Sequence, residues 1–166
     1  MGILADIVSF VIYLLIGAPA CLVLHELGHA VMILLLTKQR AVFQFGAQGR
    51  RREITMGRLS AVLYVEPSAL FFCRYRLEDK RELTRNQDLW ITLGGPLSSL
   101  LFTVLFGLFW RQSTNGADPW EGLTIINLFN LLVAGIPGHY PRWLTGQGGI
   151  ANDGLQVVEL LGQPRE

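Results

Sequence analysis

Charge is what this sequence has least of. Only 16% of its 166 residues are Asp, Glu, Lys or Arg, against roughly a quarter in an average soluble domain. Cysteine is nearly absent as well. Two residues, Cys21 and Cys73, are too few for a disulfide framework. One lies in an apolar block and the other in a basic stretch, so no bond between them is expected. The chain has no internal repeat and no low-complexity linker, and its length suits a single domain spanning residues 1–166. The first six residues carry no Lys or Arg, and the apolar run that follows continues past Ala20. Both features argue against a cleaved signal peptide. Met1-Gly2 is not followed by Ser or Thr at position 6, so myristoylation is not expected either.

Apolar residues are what is abundant. They make up 51% of the chain and gather into long blocks, which points to a lipid bilayer. The first block covers residues 3–36. A helix crosses a bilayer with about 20 apolar residues, so this block is too long for one straight span. It is too poor in turn residues for a hairpin. The reading is one kinked helix, spanning about residues 9–37, with residues 3–8 along the interface and a bend near Pro19. A second span is expected at about 89–110 and a third at about 120–136. Beyond these, residues 137–162 read as a broken or re-entrant Gly- and Pro-rich stretch ending in a short helix. The fold class is therefore mainly α and integral to a membrane, with three transmembrane helices at its core.

Residues 38–87 differ from the rest. Eleven of the fourteen Lys and Arg residues lie between Lys38 and Arg85, opposed by five acids. Strand-like runs occur at 41–46, 54–65 and 69–77. This is read as a small β-rich loop at the membrane surface, facing the cytoplasm by the positive-inside rule. The strand at 41–46 is a candidate edge for pairing with an extended substrate. The charge run from Arg74 to Arg85 suits a solvated face or anionic headgroups. A multi-pass protein of a bacterial plasma membrane is expected, with lipid as a partner and no nucleic acid.

The chemistry concentrates in His25-Glu26-Leu27-Gly28-His29. Histidines at i and i+4 share one helical face and can reach a single Zn²⁺. Glu26 between them can act as general base towards a water at the metal. No other acid or base interrupts residues 7–37, and charged groups in an apolar span are costly unless they have a function. A hydrolytic zinc site needs a third protein ligand and one open position. His29 lies nine residues before Lys38, and Asp153 lies ten residues before Gln163. At ~1.5 Å per residue both sit roughly 13–15 Å below the same surface. Asp153 is therefore the expected third ligand. Glu159 falls nearer the surface. His139, in a turn-like Gly138-His139-Tyr140-Pro141 setting, reads as a loop residue or a transition-state helper. Cys21 extends the stripe of His25 and His29, but a thiolate ligand would close the open position. Gly94, Gly95, Ser98 and Ser99 read as a helix-packing face.

Taken in order, the motifs resemble the site-2 proteases, a family of intramembrane zinc metalloproteases. They are His25–His29 in the first span, Gly94-Gly95-Pro96-Leu97 in the second, and Asn130-Leu131-Leu132 followed later by Asp153-Gly154. The resemblance implies a three-helix catalytic core, Zn²⁺ held by His25, His29 and Asp153, and Glu26 as base. It implies an Asn that positions substrate, here Asn130, and substrates that are transmembrane segments of other proteins. Val133 stands where that family carries Pro, and more than twenty residues separate Asn130 from Asp153. Asn152 is thus an alternative for the substrate role. The chain reads as a minimal core lacking a regulatory module. The alternative function is a catalytically silent relative acting as a membrane binding partner.

Overall fold

The computed structural model describes residues 3–46, 50–65, 73–77, 82–113, 118–140 and 149–162. The chain is mainly helical, with one small sheet.

The first apolar block is a single helical rod with a flaw in it. Helix α1 (Ile3–Ile12) passes through one π-helical turn, Tyr13–Gly17, into α2 (Ala18–Leu36). Pro19 sits in the first turn of α2. Its ring would clash with the carbonyl four residues back, and it has no N–H to donate. The chain absorbs this by inserting a residue, so the Ala18 N–H reaches back five positions to the Tyr13 carbonyl. The expected bend near Pro19 is therefore a π turn just before it. Tyr13 packs there against Gly122, where an added Cβ would lie 2.7 Å from its ring.

Past Leu36 the chain forms strands β1 (Ala41–Phe45), β2 (Arg50–Met56), β3 (Leu59–Val65) and β4 (Cys73–Leu77). They make one sheet in the order β2-β3-β1-β4. β1 runs parallel to β3 and antiparallel to β4, and β2 pairs antiparallel with β3. The run expected as one strand over 54–65 is two. Gly57, at φ +60°, takes a conformation that other residues avoid and turns the chain back on itself. Of the run expected at 69–77, residues 69–72 lie outside the described residues. The sheet also corrects the substrate-edge expectation. β1 is flanked by β3 and β4, so its hydrogen-bonding groups on both sides are already used.

Helix α3 (Arg85–Gln112) begins before the expected residue 89, because Thr84 and Gln87 form a reciprocal capping box. Helix α4 (Pro119–Gly135) is capped by Asp118, whose side chain accepts from the Trp120 N–H at 3.0 Å. Helix α5 (Asp153–Gly162) follows a short antiparallel bridge between His139 and Ala151.

α3 packs between α2 and α4, and α5 closes against α3 and α4. Gly28 and Gly94 let α2 and α3 touch backbone to backbone. A Cβ on Gly94 would lie 2.6 Å from the Gly28 carbonyl oxygen. The Ser98 hydroxyl donates across this contact to the Leu24 carbonyl at 2.7 Å. Polar side chains from the loop side close the helix ends. Arg58 donates to the Leu34 and Thr37 carbonyls, and Gln87 donates to that of Leu36. Arg85 donates to the Leu161 carbonyl at the end of α5.

Two helical stretches are long and apolar enough to cross a membrane, Ile7–Leu36 and Arg85–Gln112. Only 11% and 28% of their most apolar windows are buried inside the protein. Outward-facing Phe10, Ile16, Leu35, Leu101, Ile125 and Phe129 are all more than half exposed. A soluble monomer seldom leaves so much apolar surface bare.

Candidate metal centre

The helix bundle encloses polar groups. His25, His29, Ser99, Asn127, Asn152 and Asp153 are all buried. Three of them converge from opposite ends of the chain. His25 and His29 lie one turn apart on α2, and Asp153 opens α5. Asp153 Oδ2 is 2.9 Å from His25 Nε2 and 3.4 Å from His29 Nε2. The two Nε2 atoms are 3.3 Å apart.

That triangle fits a tetrahedral cation. Ligands at ~2.0–2.1 Å around zinc stand about 3.3 Å from one another. Two edges already match, and the third is short by roughly 0.4 Å. Among the described residues this is the only such group of metal-ligating side chains. Neither Cys21 nor His139 belongs to it. The Cys21 thiol is buried and faces the Leu123 carbonyl at 4.0 Å, while the His139 side chain is exposed.

The neighbours of the two imidazoles aim them. His25 Nδ1 is 2.9 Å from Ser99 Oγ, and His29 Nδ1 is 2.7 Å from the Ile91 carbonyl oxygen. Both partners lie on α3. With each Nδ1–H donating outward, each Nε2 keeps its lone pair for the common point. This is the arrangement that metal-bound histidines adopt. Gly95 leaves that point open, because a Cβ there would strike His29 Nε2 and stand 2.5 Å from His25 Nε2. A glycine at this position is thus a matter of space for the ligand atoms.

Asp153 is held by the residue before it. The Asn152 carbonyl oxygen of the side chain accepts from the Gly138 and Leu155 N–H groups, both at 3.0 Å. Its amide nitrogen donates to the Val133 and Ile136 carbonyls at 2.7 and 2.6 Å. These bonds cap α5 and tie it to the end of α4. They use the whole side chain, so Asn152 holds the ligand helix in place. Gly154 permits the same approach, since a Cβ there would run into the Gly135 carbonyl.

Glu26, half buried, follows His25 on α2, and its charge is felt by Tyr75 and Tyr140. Tyr75 reaches the centre from β4 and stacks on His29, with ring centroids 4.2 Å apart. Burial pushes its phenol well above the ordinary tyrosine range, so it stays a neutral hydrogen-bond donor. On α4 the Asn130 amide nitrogen is buried and makes no hydrogen bond among the described residues. Asn127, one turn earlier, is fully buried, and both ends of its amide are unpaired in the same sense.

No protein-family model matches the chain, and no curated protein does. The reading of this centre therefore rests on its own geometry.

Ser99 and Tyr75 do not stand out in the sequence as residues of this centre: Ser99 reads as one more small packing residue, and Tyr75 as part of a strand. Asn127 carries a usable signal, an amide one turn before Asn130 in the apolar later part of α4.

Proposed function

We propose that this chain is an integral-membrane zinc metalloendopeptidase of the site-2 protease kind. It would cut peptide bonds in or near transmembrane segments of other proteins. The observation that carries the proposal is the meeting of His25, His29 and Asp153 at one buried point inside an apolar exterior. An isolated carboxylate and two imidazoles would be costly there, and a shared cation offsets that cost. Two nitrogens and one oxygen suit zinc, and leave a fourth position for water or substrate.

Held by His25, His29 and Asp153, a zinc ion would supply Lewis acidity, lowering the pKa of a water towards about 7. Glu26 takes a proton from the attacking water as its oxygen bonds to the carbonyl carbon. When the C–N bond breaks, Glu26 returns that proton to the leaving amine. The unpaired amides of Asn127 and Asn130 on α4 are donors suited to a substrate backbone freed from its own helix. Ser99 and the Ile91 carbonyl keep the imidazoles aimed throughout.

The same reading makes α2, α3 and α4 three spans of a bacterial plasma membrane. It puts the basic stretch 38–87 on the cytoplasmic side, where eleven of the fourteen Lys and Arg residues would lie. The 17 residues of α4 reach the lower end of what a span requires.

Metal content and peptide cleavage, measured together on the purified full chain in detergent, test the proposal. Wild type should hold about one zinc and cut a transmembrane peptide. Glu26→Gln should hold zinc and lose at least ~10³-fold in rate, a large share of what general acid–base chemistry contributes. Asp153→Ala should lose both metal and activity. Cleavage by Glu26→Gln at the wild-type rate would refute Glu26 as the base. Full zinc retention by Asp153→Ala would reassign the third ligand. A metal-loaded wild type that cuts no transmembrane peptide would leave the protein a binding partner, not a peptidase.

A further inference from the structure

We infer that Tyr75 is a positioning residue for the metal ligand His29, through which the sheet at residues 41–77 fixes one face of the metal centre. The inference rests on the reading of His25, His29 and Asp153 as a metal site, and adds a residue that neither the motif nor the helix bundle supplies.

The two imidazoles are constrained differently. Each has its Nδ1 tied to α3, His25 to Ser99 Oγ and His29 to the Ile91 carbonyl. These in-plane contacts, with those of each Nε2 to Asp153 Oδ2, set where a ring points but do not stop it tilting about the line from Nδ1 to Nε2. His25 meets His29 edge to face, with centroids 5.0 Å apart and planes at 78°. His29 has a flat partner instead. The Tyr75 ring lies 4.2 Å away with its plane only 26° off parallel. Parallel stacking at this distance leaves no room for the imidazole to tilt towards β4.

Tyr75 is itself held in place. It sits at the middle of β4, paired in register with Phe43 of β1, and Phe43 is buried. Its ring packs on the cluster formed by Ala30, Ile33, Ala41 and Ile91. Two of those residues flank the metal centre directly. Ala30 follows His29, and Ile91 carries the carbonyl that His29 engages. The chain thus wedges His29 between α3 on its edge and the sheet on its face. A metal ligand oriented by neighbours in this way typically loses 10–100-fold in affinity when the neighbour is removed.

The experiment uses the full chain in detergent, loaded with zinc and separately with Co²⁺. Zinc affinity is read by competition with a chelator of known strength. The visible Co²⁺ spectrum reads ligand geometry without any activity assay. Tyr75→Leu should bind zinc about 10-fold or more weakly and shift or broaden the Co²⁺ bands. Tyr75→Phe keeps the stacked ring and should match wild type within about twofold in affinity, with the same spectrum. Wild-type affinity and spectrum in Tyr75→Leu would overturn the inference, leaving Tyr75 a filler of the core. Equal losses in Tyr75→Phe and Tyr75→Leu would also overturn it, since the hydroxyl rather than the stacked ring would then matter. Should Tyr75→Leu not fold, Tyr75→Met fills similar volume with a flexible chain and carries the same two outcomes. A wild-type protein that takes up neither metal defeats the metal reading itself, and this inference with it. A loss confined to the Tyr75 variants separates the two.

Discussion

The two regions of this molecule differ in how much polar surface they bury and how much apolar surface they expose. Among α2, α3, α4 and α5 polar groups are buried beside apolar ones and the outside is apolar: His25, His29, Ser99, Asn127, Asn152 and Asp153 lie inside with Ile33 and Ile91, while Leu35, Leu101 and Phe129 face outward. In the sheet apolar residues go inward and charges outward, except that edge strand β2 also exposes Ile54 and Met56. Ala41 and Phe43 are buried, while Arg50, Arg51 and Arg52 on edge strand β2 are exposed. Such charges also keep an open strand edge from pairing with another chain. The sheet gains its stability from burying apolar surface. In the proposed membrane setting lipid gives no such drive between helices, and close backbone contact and hydrogen bonds hold them together instead. The candidate metal centre lies among those hydrogen-bonded groups.

Glycine has a different purpose in each half, and this gives the sharpest test of the contrast. Gly95 faces the metal point, where a Cβ would collide with both Nε2 atoms. Gly57 in the β2–β3 turn meets nothing within 4 Å, and is required only for its φ of +60°. Gly95→Ala should therefore abolish stoichiometric zinc binding, with at least a ~100-fold loss of affinity, while helix content persists. Gly57→Ala should cost about 1 kcal/mol of backbone strain and leave zinc affinity unchanged. Zinc titration with circular dichroism on both variants checks this. Equal zinc affinity in the two would mean that the space beside Gly95 is not where the cation binds.

A smaller effect is expected one step out from the metal. Ser99 offers the oxygen that His25 Nδ1 engages at 2.9 Å. Ser99→Ala leaves a buried N–H unpaired and the imidazole free to turn, for a 10–100-fold loss in zinc affinity with the fold retained. Chelator competition measures it. An unchanged affinity would make Ser98 and Ser99 alike in being packing residues, and would blur the line between scaffold and site within α3.

The contrast also explains what could be read beforehand. The grouping of His25, His29 and Asp153 was legible because two histidines in an apolar block are costly and scarce. A depth argument then linked Asp153 to the histidines across more than a hundred residues. Helix ends with side-chain caps are legible in principle, and Thr84-x-x-Gln87 carries such a cap just before the second apolar block. The sheet was harder. Its strands follow no strict alternation, and the parallel pairing of β1 with β3 is a non-local choice that no short pattern encodes. Placing β1 in the middle removed the expected docking edge. Ser99 and Tyr75 were invisible for a related reason. Each matters only through a neighbour brought in from another element, His25 for one and His29 for the other.

A contact between the two regions that is remote from the metal point gives the last test. Arg58, in the β2–β3 turn, donates to the Leu34 and Thr37 carbonyls at 2.7 and 2.6 Å, closing the end of α2. A cation at a helix C-terminus also suits the helix dipole. Arg58→Ala should loosen that last turn by about 1 kcal/mol, seen as roughly fivefold faster amide exchange there. Zinc affinity should stay within about twofold, because His29 lies two turns deeper and is fixed by Ile91 and Tyr75 rather than by the helix end. If instead the metal weakened tenfold, the end of α2 would be transmitting strain to the ligands. The sheet and the helices would then act as one cooperative unit at the metal point, with the helix end as well as the stacked ring setting the ligands.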